Sequence, residues 1–180
     1  YLAIVWGWPA WDHRRVEWPL EPDGDSPYRV KMRVAAPGSG QPSATTFEVQ
    51  GRRQRPDGRR YAMIRCTLHS GRQHQIRVHA RREGFPLVGD KLYGPDEGMH
   101  ARGADGELTA EDRVRLELPR QALHASQLTL DHPETGHRIT LEAPLYDDLA
   151  RFWASLPAQA EWSGRPPKPS NTDISPPKQG

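Results

Sequence analysis

The sequence predicts an α+β fold, a sheet of mostly antiparallel strands with helices packed beside it. Two observations predict it. Up to residue 69 apolar residues recur at every second position, in segments separated by turn-rich loops. From Ser70 onward the spacing becomes helical, and it does so again around Leu145.

Tyr1 to Trp6 (YLAIVW) is an apolar run closed by Gly7, which reads as a buried strand. Residues 8–27 are rich in Pro and Asp and read as a connection. Its Trp8, Trp11 and Trp18 either pack that loop on a core or offer rings to bases, and packing is the commoner use. Arg29 to Val34 alternates strictly, with Val30, Met32 and Val34 inward and Arg29, Lys31 and Arg33 forming a wholly basic outer face. After a Pro-Gly-Ser-Gly loop at 37–40, Ala44 to Gln50 is a second strand, with Phe47 and Val49 inward. Residues 51–60 read as turn chemistry with Pro56-Asp57-Gly58 at the tip. They lead into a strand from Tyr61 to His69, whose Ala62, Ile64, Cys66 and Leu68 share one face.

Ser70 and Gln73 match a capping box, and His74 to Glu83 is a predicted helix ended by Gly84. On it Ile76 and Ala80 face the core, while His74, Arg77 and Arg81 line another face. Residues 85–106, punctuated by Gly and Pro, read as loop. Thr109 and Asp112 are placed to cap a short charged helix reaching Glu117. Leu128 and Leu130, then Ile139 and Leu141, predict a hairpin around HPETGH. Leu145, Leu149, Phe152 and Leu156 form the stripe of a last helix, with Asp147 and Asp148 complementing the dipole at its start. The domain is expected to span residues 1–156, and the proline-rich residues 157–180 to be a disordered tail.

A chain of 180 residues is about one domain. The lone Cys66 excludes a disulfide framework and a cysteine zinc cluster and suggests a reducing, cytoplasmic setting. No apolar run approaches the ~18 residues of a membrane span. The chain opens directly on a strand, with its first Met at Met32, and is therefore expected to be a fragment whose N-terminal part is missing. Net charge is only +2, yet residues 29–82 hold 13 Lys/Arg against 2 acids. Such a block is either an electrostatic footprint for a polyanion or a solvated basic surface.

The histidines His69, His74 and His79 stand five apart, a spacing that converges three rings neither on a strand nor on a helix, so no metal site is expected. No GxSxG, GxxxxGK[ST] or GxGxxG occurs, Cys66 lies on the apolar side of its strand, and no cofactor is expected. What remains is SGRQHQIRVHARREGFPLVGDKLYG, residues 70–94. It sets Arg77 on the first turns of a helix, where a guanidinium either holds a carboxylate or phosphate bidentately or makes a surface salt bridge.

That stretch closely resembles the GRxHQIRxH…G.P..GD..YG signature of the RluA-type pseudouridine synthases. The likeness extends, in order, over roughly residues 1–150: Tyr1 to Gly7 is similar to the family's Y.A.V.G strand, Trp18-Pro19-Leu20 to its following PL, and Ala44 to Phe47 to its A.T.[FY] strand. Leu123-His124-Ala125, His132 to Gly136 and Ala143-Pro144 resemble its LHA, HP.[TY]G and AP elements. The resemblance implies the family's α+β core, a mixed, mostly antiparallel sheet with flanking helices. It also implies isomerisation of uridine to pseudouridine in structured ribosomal or transfer RNA, without a cofactor or metal, by a monomer. The family's essential Asp lies in an HRLD motif, accompanied by a Tyr and an Arg; by position these correspond to Tyr1 and Arg77. HRLD is absent, and Asp12-His13-Arg14-Arg15 has similar letters in the wrong order. The 180 residues alone are therefore expected to be inactive, with a catalytically dead RNA-binding module of the same fold as the alternative. Arg29, Lys31, Arg33 and the loop 51–60 are the expected phosphate contacts. Arg72, His74 and Gln75 are further candidates for RNA contact, Gln75 equally for a capping role behind Arg77.

Overall fold

The computed structural model describes residues 1–157; apart from Pro157, the proline-rich tail lies outside the described residues. Its centre is a five-stranded sheet in the order β2–β5–β6–β1–β7: His13–Val16, Thr45–Gln54, Arg60–Leu68, Leu2–Trp6 and Leu123–His124. Every pairing in it is antiparallel. Two separate ribbons, β3–β4 (Leu20–Pro22, Met32–Val34) and β8–β9 (Gln127–Asp131, Arg138–Glu142), stand beside the sheet. Four helices complete the α+β fold: α1 Gln75–Arg82, α2 Gly98–Ala104, α3 Ala110–Leu116 and α4 Asp147–Ser155.

Alternation along the strands sends side chains to both faces, and each face finds a helix. Ala3, Val5, Phe47, Ile64 and Cys66 pack under Ile76 and Ala80 of α1. Ile4 and Tyr61 point the other way, onto Leu149, Phe152 and Leu156 at α4. Fully burying one such aliphatic side chain stabilises by about 1.5–3 kcal/mol, so the two layers fix the sheet between them. The stripe predicted for α4 and the capping box of α3 are both present, Thr109 Oγ1 accepting from Asp112 N at 3.0 Å.

Several expectations are corrected. The alternating strand over 29–34 shrinks to Met32–Val34, and Val30 is exposed instead of inward. The 8–27 connection contains β2 and β3, held by backbone pairing and by one buried apolar residue each, Val16 and Leu20. Within the 51–60 segment, β5 runs on to Gln54 past a bulge near Gly51, leaving only the Pro56–Gly58 tip as turn. Loop 85–106 contains α2, anchored by the buried Met99. Ser70 does not form the capping box with Gln73; its hydroxyl donates to Gln75 Oε1 at 2.8 Å, and the helix starts later.

Candidate functional site

Tyr1 extends the β1 ladder one residue beyond the strand: Cys66 N donates to Tyr1 O at 2.8 Å, and the Tyr1 ammonium to Cys66 O at 3.0 Å. Directly opposed residues share a face, so Tyr1 lies on the side of Cys66, the side that α1 covers. Tyr1 as a residue is 38% exposed.

The entry to α1 is a strained turn. His74, the residue before the helix, has φ 56°, a left-handed conformation unusual for a residue with a Cβ. The clamp that enforces it is Gln75, which is only 2% exposed. Its Oε1 accepts from Ser70 Oγ and Arg72 N, and its Nε2 donates to Ala44 O and Thr45 Oγ1 at 2.9 Å. Gln75 thus ties the entry of α1 to the start of β5; its side chain bonds no N–H of α1, so it acts as a tie behind the helix and not as its cap.

After α1 the chain returns along β1, Trp6 N donating to Pro86 O at 3.0 Å and Val88 N to Ile4 O at 2.9 Å. This delivers Asp90, fully buried, beneath the helix. Arg77 meets it bidentately, Nε to Oδ2 and Nη2 to Oδ1, both at 2.7 Å. The guanidinium also lies 4.7 Å from the centre of the Tyr93 ring. Tyr93 Oη accepts from Met32 N at 2.8 Å and shares a 2.9 Å hydrogen bond with His74 Nδ1. Arg81 donates to Tyr93 O at 2.5 Å and Gly94 O at 2.9 Å. The predicted face of His74, Arg77 and Arg81 therefore converges on one residue, Tyr93. Burial, reinforced by the Arg77 charge, lowers the His74 imidazole to about 4, and burial raises the Tyr93 phenol to about 12. At neutral pH the pair is an uncharged imidazole beside an intact phenol.

A cleft of about 620 Å³ adjoins this cluster, lined in part by Lys31, Arg33, Val78, Arg81, Arg82 and Tyr93. The expected basic face does not form there. Lys31 pairs with Asp23 and Glu97, and Arg33 with Glu21 and Asp25. Arg29 and Arg72 are exposed, Arg72 donating through Nε to Pro42 O at 3.2 Å. The arginines of 51–60 are also engaged within the fold. Arg53 donates to Trp153 O and Leu156 O at the end of α4, and Arg55 and Arg59 pair with Glu117. Among the described residues no group of His, Cys, Asp and Glu is arranged to hold a metal ion. Burial pushes the Cys66 thiol up to about 12. The sequence reading assigned no role to Asp90 or Tyr93, although both stand in the block quoted above. The signal was their place in that block; which partner each meets depends on the loop's return along β1.

Curated relatives align over nearly all of this frame. The uncharacterized RNA pseudouridine synthase YlyB of Bacillus subtilis is 35% identical over 156 residues, 87% of this chain and 43% of its own length. The ribosomal large subunit pseudouridine synthase D of Nitrosomonas europaea is 38% identical over 164 residues, 87% of this chain and 40% of its own. The chain belongs to the RluA-type RNA pseudouridine synthase family. It spans less than half the length of the curated synthases it matches. No family model matches. A solved human structure, RNA pseudouridylate synthase domain containing 1, shares the synthase fold with a TM-score of 0.61 at 21% identity, over 88% of this chain and 66% of that one. Among the described residues no helix is long and apolar enough to cross a membrane.

Proposed function

We propose that these residues form one wall of the active site of an RNA pseudouridine synthase, acting on structured ribosomal or transfer RNA together with an HRLD-bearing segment. The observation that supports this is Arg77, inside the GRQHQIR block, held bidentately by Asp90 on the helix whose Ile76 and Ala80 cover the sheet face that Tyr1 shares with Cys66. In that reaction the N1–C1′ bond of uridine breaks, the uracil turns, and a C5–C1′ bond forms, C5 losing a proton and N1 gaining one. The target base leaves its stack at a cost of a few kcal/mol, which contacts to the surrounding RNA help offset.

Each group has a role in that scheme. Arg77 faces the HRLD carboxylate and keeps it ionised, since an opposite charge within ~4–6 Å lowers an Asp pKa by about 1–3 units. The ring of half-exposed Tyr1 lies against the everted uracil. Arg29 and Arg72 take phosphates, which position RNA without reading its sequence. Lys31 and Arg33 join them by exchanging a carboxylate for a phosphate, and His74 offers a neutral imidazole at the edge of the site.

The test uses the chain alone and joined to the HRLD-bearing segment of a family member. Alone it gives no pseudouridine above background; turnover by the isolated 180 residues overturns the assignment of the missing Asp. Joined, it forms pseudouridine, and Arg77→Lys lowers kcat by about 100-fold, the scale of losing one oriented donor, with RNA affinity nearly kept. An equal collapse of kcat and affinity reduces Arg77 to a general electrostatic contact. RNA binding without turnover in the joined protein identifies a catalytically dead binding module.

A further inference from the structure

We propose that Asp90 is a positioning residue for Arg77: it permanently occupies one fork of the guanidinium, so that a carboxylate at the reaction centre is received by the other fork alone. This rests on the function proposed above, for which Arg77 is the site's cation.

A guanidinium carries five N–H donors in fixed forks. The side-on fork, Nε with Nη2, is spent on the two Asp90 oxygens. The end-on fork, Nη1 with the second hydrogen of Nη2, has no acceptor among the described residues. The Arg77 side chain is 13% exposed while that of Asp90 is wholly covered, so the end-on fork is the side that reaches the surface.

Asp90 cannot rotate away from this contact. Its Oδ1 also accepts from Leu92 N at 3.0 Å and Tyr93 N at 2.9 Å, which pins the carboxylate to its own loop. The loop in turn is packed to the thickness of a hydrogen: a Cβ on Gly89, at φ +74°, would lie 2.0 Å from Arg120 O, and one on Gly94 would lie 2.0 Å from Asp90 O. From one face the Tyr93 ring supports the guanidinium plane, and the ring is held at its hydroxyl by Met32 N and His74. Plane, edge and loop are all fixed before any substrate arrives, which is what preorganisation of a reacting charge requires.

Two consequences follow for chemistry. The incoming carboxylate meets a guanidinium whose charge Asp90 already balances, so what it gains is the oriented N–H donors of the end-on fork, which favour its ionised form, and it must approach along that fork. A flexible arginine would accept it from any direction.

The test reads the Arg77 guanidinium by ¹⁵N NMR in the 180-residue chain, with formate as the carboxylate probe. Wild type is expected to show an Arg77 Nε–H in slow exchange and unmoved by formate, while the Nη signals shift. In Asp90→Asn the Nε–H exchanges fast and shifts with formate as well. Formate moving Nε in the wild type, leaving Nη unmoved, or giving the same pattern in Asp90→Asn overturns the proposal. Asp90→Glu serves as the second variant: it keeps the charge but displaces the fork, and formate affinity is expected to fall about tenfold. Unchanged affinity in that variant overturns the proposal equally. These spectra are independent of turnover, so failure of the fork assignment and failure of the functional reading, seen as absence of pseudouridine in the joined enzyme, are told apart.

Discussion

Two of the buried carboxylates that anchor arginines among the described residues, Glu117 and Asp90, do opposite things. Glu117, at the end of α3, is a sink on which donors converge: Trp6 Nε1 at 2.8 Å, Tyr61 Oη at 2.8 Å, Arg55 at 2.9 Å and Arg59 at 3.3 Å. Arg55 is further packed near the rings of Tyr61 and Phe152. Nothing about that carboxylate faces outward, and its work is to lock the β5–β6 hairpin to α3. Asp90 is buried deeper still, and it holds a single arginine by both oxygens, leaving that guanidinium's end-on donors unspent. An arginine–carboxylate pair therefore says little by itself about stability or function. What separates a structural lock from a poised reagent is which partner remains unsaturated.

The comparison can be broken most directly by deleting each acid. Asp90→Ala strands the Arg77 charge in a mostly covered site and is expected to cost about 3–5 kcal/mol. Glu117→Ala lets Arg55 and Arg59 turn to water and leaves chiefly the Tyr61 and Trp6 donors unpaired, costing about 1–3 kcal/mol. Urea denaturation of both variants checks the order, and a larger loss at Glu117 reverses the assignment of the two nodes.

RNA affinity as a function of salt sharpens it next. Replacing Arg29 or Arg72 by Ala should each reduce the log–log salt slope by about 0.7–1. Arg53→Ala, whose guanidinium caps α4 through two carbonyls, should leave that slope unchanged while destabilising the helix. A change of slope in Arg53→Ala would return the hairpin to the RNA-binding surface.

The smallest effect is a pH dependence carried by the histidine beside Arg77 and Tyr93. Folded His74 binds a proton only near pH 4, whereas in the unfolded chain an imidazole binds it near 6.5. Below that value the unfolded state takes up the extra proton, so stability is complete above pH ~6.5 and declines as pH falls toward about 4. Burial lowers His79 too, and it adds in the same direction. Thermal melts of His74→Gln should show a shallower decline through this window; an unchanged profile would remove His74 from the account. The Glu117 node contains no histidine.

Much of the architecture was readable because it is periodic. Strands β1, β5 and β6, helix α4 and the Thr109–Asp112 cap follow from side-chain spacing alone. What escaped has no spacing to read. β2 (HRRV) exposes all but Val16 and exists through its backbone pairing with β5. α2 contains two glycines and is held by Met99 and by Arg102, which bridges Asp96 and Asp112. The basic outer face of 29–34 failed for a related reason: β3–β4 pairing sets Glu21 opposite Arg33, and the acids of 21–25 neutralise the face. At the site, the helix face with Arg77 was visible in the sequence, and its family role came from the resemblance. Asp90 was not, because a contact across 13 residues depends on where the loop passes, which no local pattern encodes.

The single thiol opposite Tyr1 gives this ladder a built-in clock. Cys66 is 1% exposed, and its depth and high pKa both keep it from alkylating reagents while the ladder is closed. Its labelling rate with a maleimide would thus count openings between β1 and β6 directly opposite Tyr1, with no engineered probe.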